Sequence, residues 1–213
     1  MINLSNLLDN LKCQISAKLP EHVNKVLGDS IEDLRLSKIG ESAPQTGDTL
    51  PSFALPDTQG TVIGSETLLH ENDRLIIAFF RGSWCPYCNL ELKVLQRILP
   101  QLKSKKTALV AISPQITEKN AEMSTETPFG FDILSDLNSL YAKKLGIAFD
   151  LHDFVLPYYH QLGINLSEYN GNHDNCLPIP AVFVIDKSRT ILFSSIDVDY
   201  TKRVNIDELL NSL

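Results

Sequence analysis

Two cysteines three residues apart, Cys85 and Cys88, stand in the run Arg81-Gly82-Ser83-Trp84-Cys85-Pro86-Tyr87-Cys88. A six-residue apolar run, 75–80, precedes them, and a helical pattern follows. A thiol at a helix start meets unpaired backbone N–H groups and the positive end of the helix dipole. Both favour the thiolate, which is the reactive form. Spacing of i, i+3 brings the two sulfurs to one face of the first turn, so either attacks a bond formed at the other. Pro86 fits the first helical position, where its missing N–H costs nothing. The expected chemistry is thiol redox. The plainer reading is an inert buried pair, but burial does not explain a strand, a Trp, a Cys-x-x-Cys and a helix start arriving together.

Two further groups bear on this pair. His173-x-x-Cys176 would complete a Cys₃His ligand set, so a zinc-binding module is the alternative from another class of function. Because the pair opens a helix after a buried strand and does not lie in a compact knuckle, no metal is expected. Cys176 is also a candidate resolving thiol, since its loop leads to Pro180 near the expected site. Pro180 directly precedes the strand Ala-Val-Phe-Val-Ile-Asp; proline is tolerated at a strand's first residue, and an X-Pro bond there is a candidate for the cis form. Cys13 reads as a bystander, and His22, His70, His152, His160 and His173 show no triad spacing. No organic cofactor is implied.

The elements that must position these groups follow from periodicity. Leu4, Leu7, Leu8, Leu11 and Ile15, then Val23, Val26, Leu27, Ile31 and Leu34, predict two amphipathic helices separated by Pro20. They read as docking helices or as an oligomer surface, a homodimer included. Residues 41–51 read as a linker, giving a helical arm over 1–43 and a redox domain over 44–213. Residues 75–80 and 107–113 predict strands buried on both faces. Leu90, Val94, Ile98 and Leu102 predict the helix after the cysteines, ended or kinked by Pro100. A short extended stretch at 131–134, a helix over 136–145 stopped by Gly146, and a short helix within 154–162 come next; 163–177 reads as a long loop. Residues 181–186 and 190–195 predict a hairpin, and Asn205 with Glu208 marks the start of a last helix. This order predicts an α/β sandwich with mixed strand directions.

The 213 residues carry a net charge of −7, which repels phosphate backbones and anionic lipid, so neither nucleic acid nor membrane is expected as a partner. The apolar share of 43% suffices for a core. No apolar run is long enough to span a bilayer and no secretory signal is visible, so a cytoplasmic location is expected.

Strand, Trp-Cys-Pro-Tyr-Cys, helix and a later Ile-Pro before a hairpin resemble a thioredoxin fold. More closely, 44–213 resembles the peroxiredoxin-like branch of the alkyl hydroperoxide reductase/thiol-specific antioxidant family. The likeness is carried by Gly47-Asp48-x-x-Pro51-x-Phe53-x-Leu55-Pro56-Asp57, by residues 80–92, by Ala111-Ile112-Ser113-Pro114-Gln115, by Leu134-Ser135-Asp136, by Leu177-Pro178-Ile179-Pro180 and by Asp199-Tyr200-Thr201-Lys202-Arg203. The resemblance implies a thiol peroxidase that reduces hydrogen peroxide or organic hydroperoxides through a Cys85/Cys88 dithiol. A sulfenic acid would form, then an intramolecular disulfide, recycled by thioredoxin, glutathione or a similar reductant.

The family pattern Pro-x-x-x-Thr/Ser-x-x-Cys, laid on this chain, puts Arg81 at the Pro, Cys85 at the Thr and Cys88 at the peroxide-attacking Cys; the family's later Arg falls on Pro180. In thioredoxins the first Cys of the pair, here Cys85, is the nucleophile, so the identity of the first attacker stays open. Arg81 is the nearest substitute for the absent positive charge, with Arg189 and Arg203 as candidates otherwise read as solvated surface. The second mechanism, dithiol–disulfide exchange on protein partners, would use Trp84 and the Ile179–Pro180 segment for docking.

Overall fold

The computed structural model describes residues 3–213. The predicted N-terminal helices are α1 (Leu4–Lys18), capped by the Asn3 side chain on the Asn6 N–H, and α2 (Glu21–Leu36), which starts after Pro20. A short hairpin follows, β1 (Ala54–Pro56) with β2 (Val62–Gly64), and then α3 (Ser65–Glu71). Three-residue strands are too short to show alternation, which is why periodicity missed this hairpin.

The apolar run becomes β3 (Arg74–Phe79), and the cysteines open α4 (Pro86–Ser104), which does not end at Pro100 but continues through it to Ser104. Beyond it lie β4 (Thr107–Ser113), α5 (Thr117–Glu126), β5 (Asp132–Ser135) and a 3-10 turn (Leu137–Ser139) leading into α6 (Leu140–Lys144). The helix α5 escaped prediction because its buried positions include Asn120 as well as Met123, which blurs the apolar stripe. The expected long loop holds structure: after β6 (Ala148–Asp150) and α7 (Leu156–Gln161) come α8 (Leu166–Asn170) and β7 (Cys176–Pro178), which pairs with β6. The chain ends with β8 (Ala181–Asp186), β9 (Ile191–Ile196) and α9 (Ile206–Asn211), whose N-cap is Asn205 as expected.

The main sheet has the order β5-β4-β3-β8-β9. Strands β3, β4 and β5 are parallel, while β8 runs antiparallel to both β3 and β9. This mixed sheet with helices on both faces is the thioredoxin-type α/β arrangement. Its central strands are continuously apolar between their ends, over 75–79, 108–112 and 181–185, because both faces are covered. Leu75, Ile77, Phe79, Val110, Ile112 and Phe183 face one core. Ile76, Ala78, Phe80, Ala111, Val182 and Val184 face the other, together with the buried side of α4.

The arm divides between the two cores. Leu4 and Leu8 of α1 are buried in the core that holds α4 and the cysteines, whereas Leu34 of α2 is buried in the opposite one. The two helices thus bracket the end of the sheet where β3 delivers the cysteine run. Among the described residues no helix is long and apolar enough to cross a membrane.

Candidate active site

Strand β3 ends at Phe79 in the sheet interior, and the loop to α4 is held by a buried polar chain. Gln115 Oε1 accepts from the Ser83 N–H at 2.8 Å and from Ser83 Oγ at 2.9 Å. Gln115 in turn donates to Asn120 Oδ1 at 2.8 Å, and Asn120 donates to Ser135 Oγ at 2.9 Å. Gly82 is required by close approach, since a Cβ there would collide with the Trp84 indole and the Gln115 side chain. Sequence reasoning noticed Gln115 only as part of a motif and missed Asn120; buried polar residues carry no periodic signal.

Cys85 is the N-cap of α4, with Pro86 in the first helical turn as expected. Its sulfur accepts from the Cys88 N–H at 3.4 Å, from Cys88 Sγ at 2.7 Å and from Arg81 Nη2 at 3.3 Å. No disulfide joins the pair, and both side chains are wholly buried. Burial alone would push Cys85 up; the Cys88 hydrogen bond and the charges of Arg81 and Arg203 outweigh it and hold this thiol well below its usual range. Burial pushes Cys88 up, and its hydrogen bond to Cys85 and the charge there raise it further than Arg203 and Arg81 lower it. One proton shared unequally by two sulfurs leaves the negative charge on Cys85.

Two arginines surround the pair. Arg81 is buried; it donates to the Tyr159 hydroxyl at 2.9 Å, and its guanidinium lies 3.9 Å from the centre of the Tyr200 ring and 5.1 Å from that of Trp84. Arg203, expected at the surface, is instead buried, with Nη2 3.2 Å from Cys88 Sγ and Nε in an ion pair with Glu91 at 2.7 Å. Glu91 is pushed up to about 7, burial outweighing Arg203 and a backbone hydrogen bond from Val204. Arg203 could not be placed from sequence because the loop after β9 that carries it has no periodicity. That loop is organised by Asp199, which accepts from the Thr201 N–H at 3.0 Å and the Thr201 hydroxyl at 2.7 Å. Lys12 of α1 reaches the same hydroxyl at 3.4 Å. Arg189 belongs elsewhere, 3.4 Å from Glu66.

The remaining candidates separate. Trp84 packs against Tyr159 with ring centres 5.5 Å apart, in the site. Tyr159 is buried there as well. Pro180 sits at the β7–β8 junction on the wall of a small cleft shared with Arg81, Tyr159 and Tyr200. Its peptide bond is trans, since no cis bond occurs among the described residues. The chain passes from β7 into β8 through two residues that form no turn, and such a path makes no demand for the tight turn that cis proline serves.

Cys176 pairs across the β6–β7 ribbon with Asp150; its thiol is raised by burial, and its backbone carbonyl accepts from Ser139 at 3.4 Å. No contact joins it to Cys85 or Cys88 among the described hydrogen bonds. His173 is exposed, and no three His, Cys, Asp or Glu side chains among the described residues meet in a metal-binding group. The Cys₃His set is therefore not assembled. Cys13 is exposed.

Comparison with known proteins shows the family and the fold. The model of the AhpC/TSA family matches residues 46–194. A protein of Mycobacterium tuberculosis named as a peroxiredoxin is 26% identical over 113 residues, spanning 53% of this chain and 73% of that protein. Peroxidoxin BcpB of Mycobacterium tuberculosis superposes with a TM-score of 0.61 at 22% identity, covering 79% of this chain and 95% of that one. A thiol peroxidase from Chromobacterium violaceum gives 0.59 at 19% identity, with 79% and 86% covered. The shared fold is that of thioredoxin-like peroxidases.

Proposed function

The chain belongs to the AhpC/TSA family, and from that premise we propose that it is a thiol-dependent peroxidase in which Cys85 is the attacking sulfur and Cys88 the resolving one. The observation that carries the assignment is the set of three donors on Cys85 Sγ: Arg81 Nη2, the Cys88 N–H and the Cys88 thiol. A helix N-terminus plus a guanidinium stabilises a thiolate where a lone buried thiol would stay protonated.

The Cys85 thiolate attacks the terminal oxygen of a peroxide R–O–O–H. The O–O bond breaks, Cys85 becomes a sulfenic acid, and RO⁻ leaves and takes up a proton as ROH. The Cys88 thiol, raised and therefore protonated, then condenses with the sulfenic acid; a disulfide forms and one water leaves. A dithiol reductant such as thioredoxin, or two glutathiones, returns both sulfurs to the thiol state. Arg81 stabilises the thiolate before attack and lies beside the oxygen that gathers charge as O–O breaks. Arg203, held by Glu91, does the same for Cys88 when it acts. In this assignment two arginines replace the hydroxyl and the guanidinium that the family pattern places elsewhere.

Dithiol exchange with protein partners uses the same pair, but burial argues against it as the first reaction. An extended polypeptide must present its disulfide to a sulfur, and both sulfurs are wholly covered; a peroxide group is small enough to enter. The test is steady-state consumption of hydrogen peroxide and an organic hydroperoxide with a thioredoxin system, set beside insulin reduction. Turnover of peroxide that is lost in both Cys85→Ser and Cys88→Ser supports the reading. Insulin reduction without peroxide turnover overturns it in favour of exchange.

A further inference from the structure

A small peroxide enters a closed site, but a reducing protein does not. Cys85 and Cys88 are wholly buried, and a dithiol protein must bring a sulfur onto their disulfide to reduce it. The two sulfurs lie 2.7 Å apart, so closing the disulfide asks for little movement within α4. What changes on oxidation is charge. The first step replaces the Cys85 thiolate by a neutral sulfenic acid, and the second gives a neutral disulfide and water.

Arg81 is the group most affected. Its buried guanidinium reaches the Cys85 sulfur through Nη2 and the neutral Tyr159 hydroxyl through Nη1, while Nε has no partner. Among the described residues no ion pair joins it to a carboxylate, and neither cavity that it borders has an acidic residue in its lining. Arg203, by contrast, has Glu91 at 2.7 Å as well as a sulfur. Removing one partner of a buried ion pair is strongly destabilising, because the other charge is left uncompensated.

The cover over Arg81 is fastened at one point. Helix α2 lies across it, with Leu27, Ser30, Ile31 and Leu34 on the wall of a cleft of about 10 Å³, room for about one water. Every described side-chain hydrogen bond or ion pair that ties α2 to residues beyond the arm runs through His152. Its Nδ1 lies 3.1 Å from Ser30 Oγ, and its Nε2 lies 2.7 Å from Asp33 Oδ2. The His152 carbonyl accepts from the Val155 N–H at 2.9 Å, and the Val155 carbonyl from the Tyr159 N–H at 3.2 Å. The fastener of α2 is thus linked through one run of backbone to the residue that holds Arg81. Helix α1 is anchored separately, by Leu4 and Leu8 in the core that holds α4 and by Lys12 on Thr201.

We propose that α2 is a redox-gated cover. While Cys85 carries charge, Arg81 and Tyr159 hold residues 152–159 and α2 closed over the site. The disulfide leaves Arg81 without an anion, and α2 lifts from His152, letting water onto the guanidinium and a dithiol protein onto the sulfurs. A packed element with two arrangements, biased by one local charge, suffices for such a switch. Helix α2 lies outside the 46–194 stretch that the family model matches, so the gate belongs to this chain's own addition to the shared fold. It rests on the proposed peroxidase for its physiological oxidant and on Cys85 as the thiolate.

The experiment is amide hydrogen exchange read by mass spectrometry on the full chain in three states: reduced, oxidised by diamide, and oxidised by one equivalent of hydrogen peroxide. Diamide takes two electrons and two protons from the dithiol, so it closes the disulfide without peroxide chemistry. Exchange over 22–36 is expected to be at least about tenfold faster in the disulfide form, with 5–18 unchanged. Arg81→Met has no cation to strand, so its α2 should exchange alike in both forms. His152→Ala should open α2 in the reduced protein as well. It should also speed reduction of the diamide-formed disulfide by thioredoxin about fivefold, the net worth of about one hydrogen bond.

Equal exchange of α2 in the reduced and diamide-oxidised protein overturns the gate, and a disulfide formed by hydrogen peroxide then still supports the peroxidase reading. Opening of α2 by diamide, with no disulfide from hydrogen peroxide, supports the gate and overturns the peroxidase reading. Opening that persists in Arg81→Met overturns the stranded charge as its cause, and with it the proposal.

Discussion

Replacing Arg81 by Met removes the guanidinium from Cys85 while keeping an apolar side chain between Trp84 and Tyr200. With Nη2 at 3.3 Å from the sulfur, Coulomb's law at an effective dielectric of about 20 gives an attraction of about 5 kcal/mol. That figure is a ceiling, because Arg203 also acts on Cys85 and water would enter the space left behind. A hydrogen bond to a charged group is worth about 1.5–3 kcal/mol net, equivalent to a rise of roughly 1–2 units in the thiol pKa at about 1.4 kcal/mol per unit. The assay is titration of the thiolate by its ultraviolet absorbance in a Cys88→Ser background, where a hydroxyl still donates to Cys85. Arg81→Met should raise the midpoint by that amount, Arg81→Lys by less, and Arg203→Met by less than Arg81→Met because its nearest sulfur is Cys88. An unmoved midpoint in Arg81→Met would refute the claim that this arginine stabilises the attacking thiolate.

Three further outcomes follow from the same geometry. Tyr159→Phe removes the acceptor of Arg81 Nη1 and should lower kcat/KM for peroxide about tenfold, the equivalent of one charged hydrogen bond, as read by initial rates. Glu91, at about 7 when folded against an ordinary 4.5, binds a proton in the native state that the unfolded chain has already released. Its contribution to stability is full below the ordinary value and is lost as pH rises through about 7, so urea midpoints in a Cys85→Ser background should fall between about pH 5 and about pH 8, and Glu91→Gln should flatten that fall. Leu8 of α1 is 4% exposed, packed in the core that contains α4, and Leu8→Ala should cost about 2–5 kcal/mol in denaturant unfolding.

The parts of this molecule that announce themselves in sequence are those governed by repetition or by a tight local rule. The double-faced apolar strands β3, β4 and β8 are continuous runs because both sides are covered. The first turn of α4 is marked by proline and the cysteine spacing, and the last helix by its Asn205 cap. The rest of the site comes from distant loops. Arg203 reaches Cys88 from 115 residues away, and Tyr159 reaches Arg81 from 78. No local pattern distinguishes a buried arginine from a solvated one, so Arg203 read as surface. The arm's stripes left docking and an oligomer surface both open, because which surface α1 and α2 cover depends on tertiary packing. Cys176 was drawn toward the site by its place before Pro180, whereas the β6–β7 ribbon holds it against Asp150.

Which sulfur meets peroxide first is decided by treating each single variant with one equivalent of peroxide and weighing the product. Cys88→Ser keeps the sulfur that carries the three donors, and it should gain one oxygen as a sulfenic acid trapped by dimedone. Cys85→Ser keeps the protonated thiol and should gain none on the same timescale. The reverse pattern, with sulfenic acid on Cys88 in the Cys85→Ser protein and none on Cys85, would contradict the assignment of the attacking thiolate to the cap of α4.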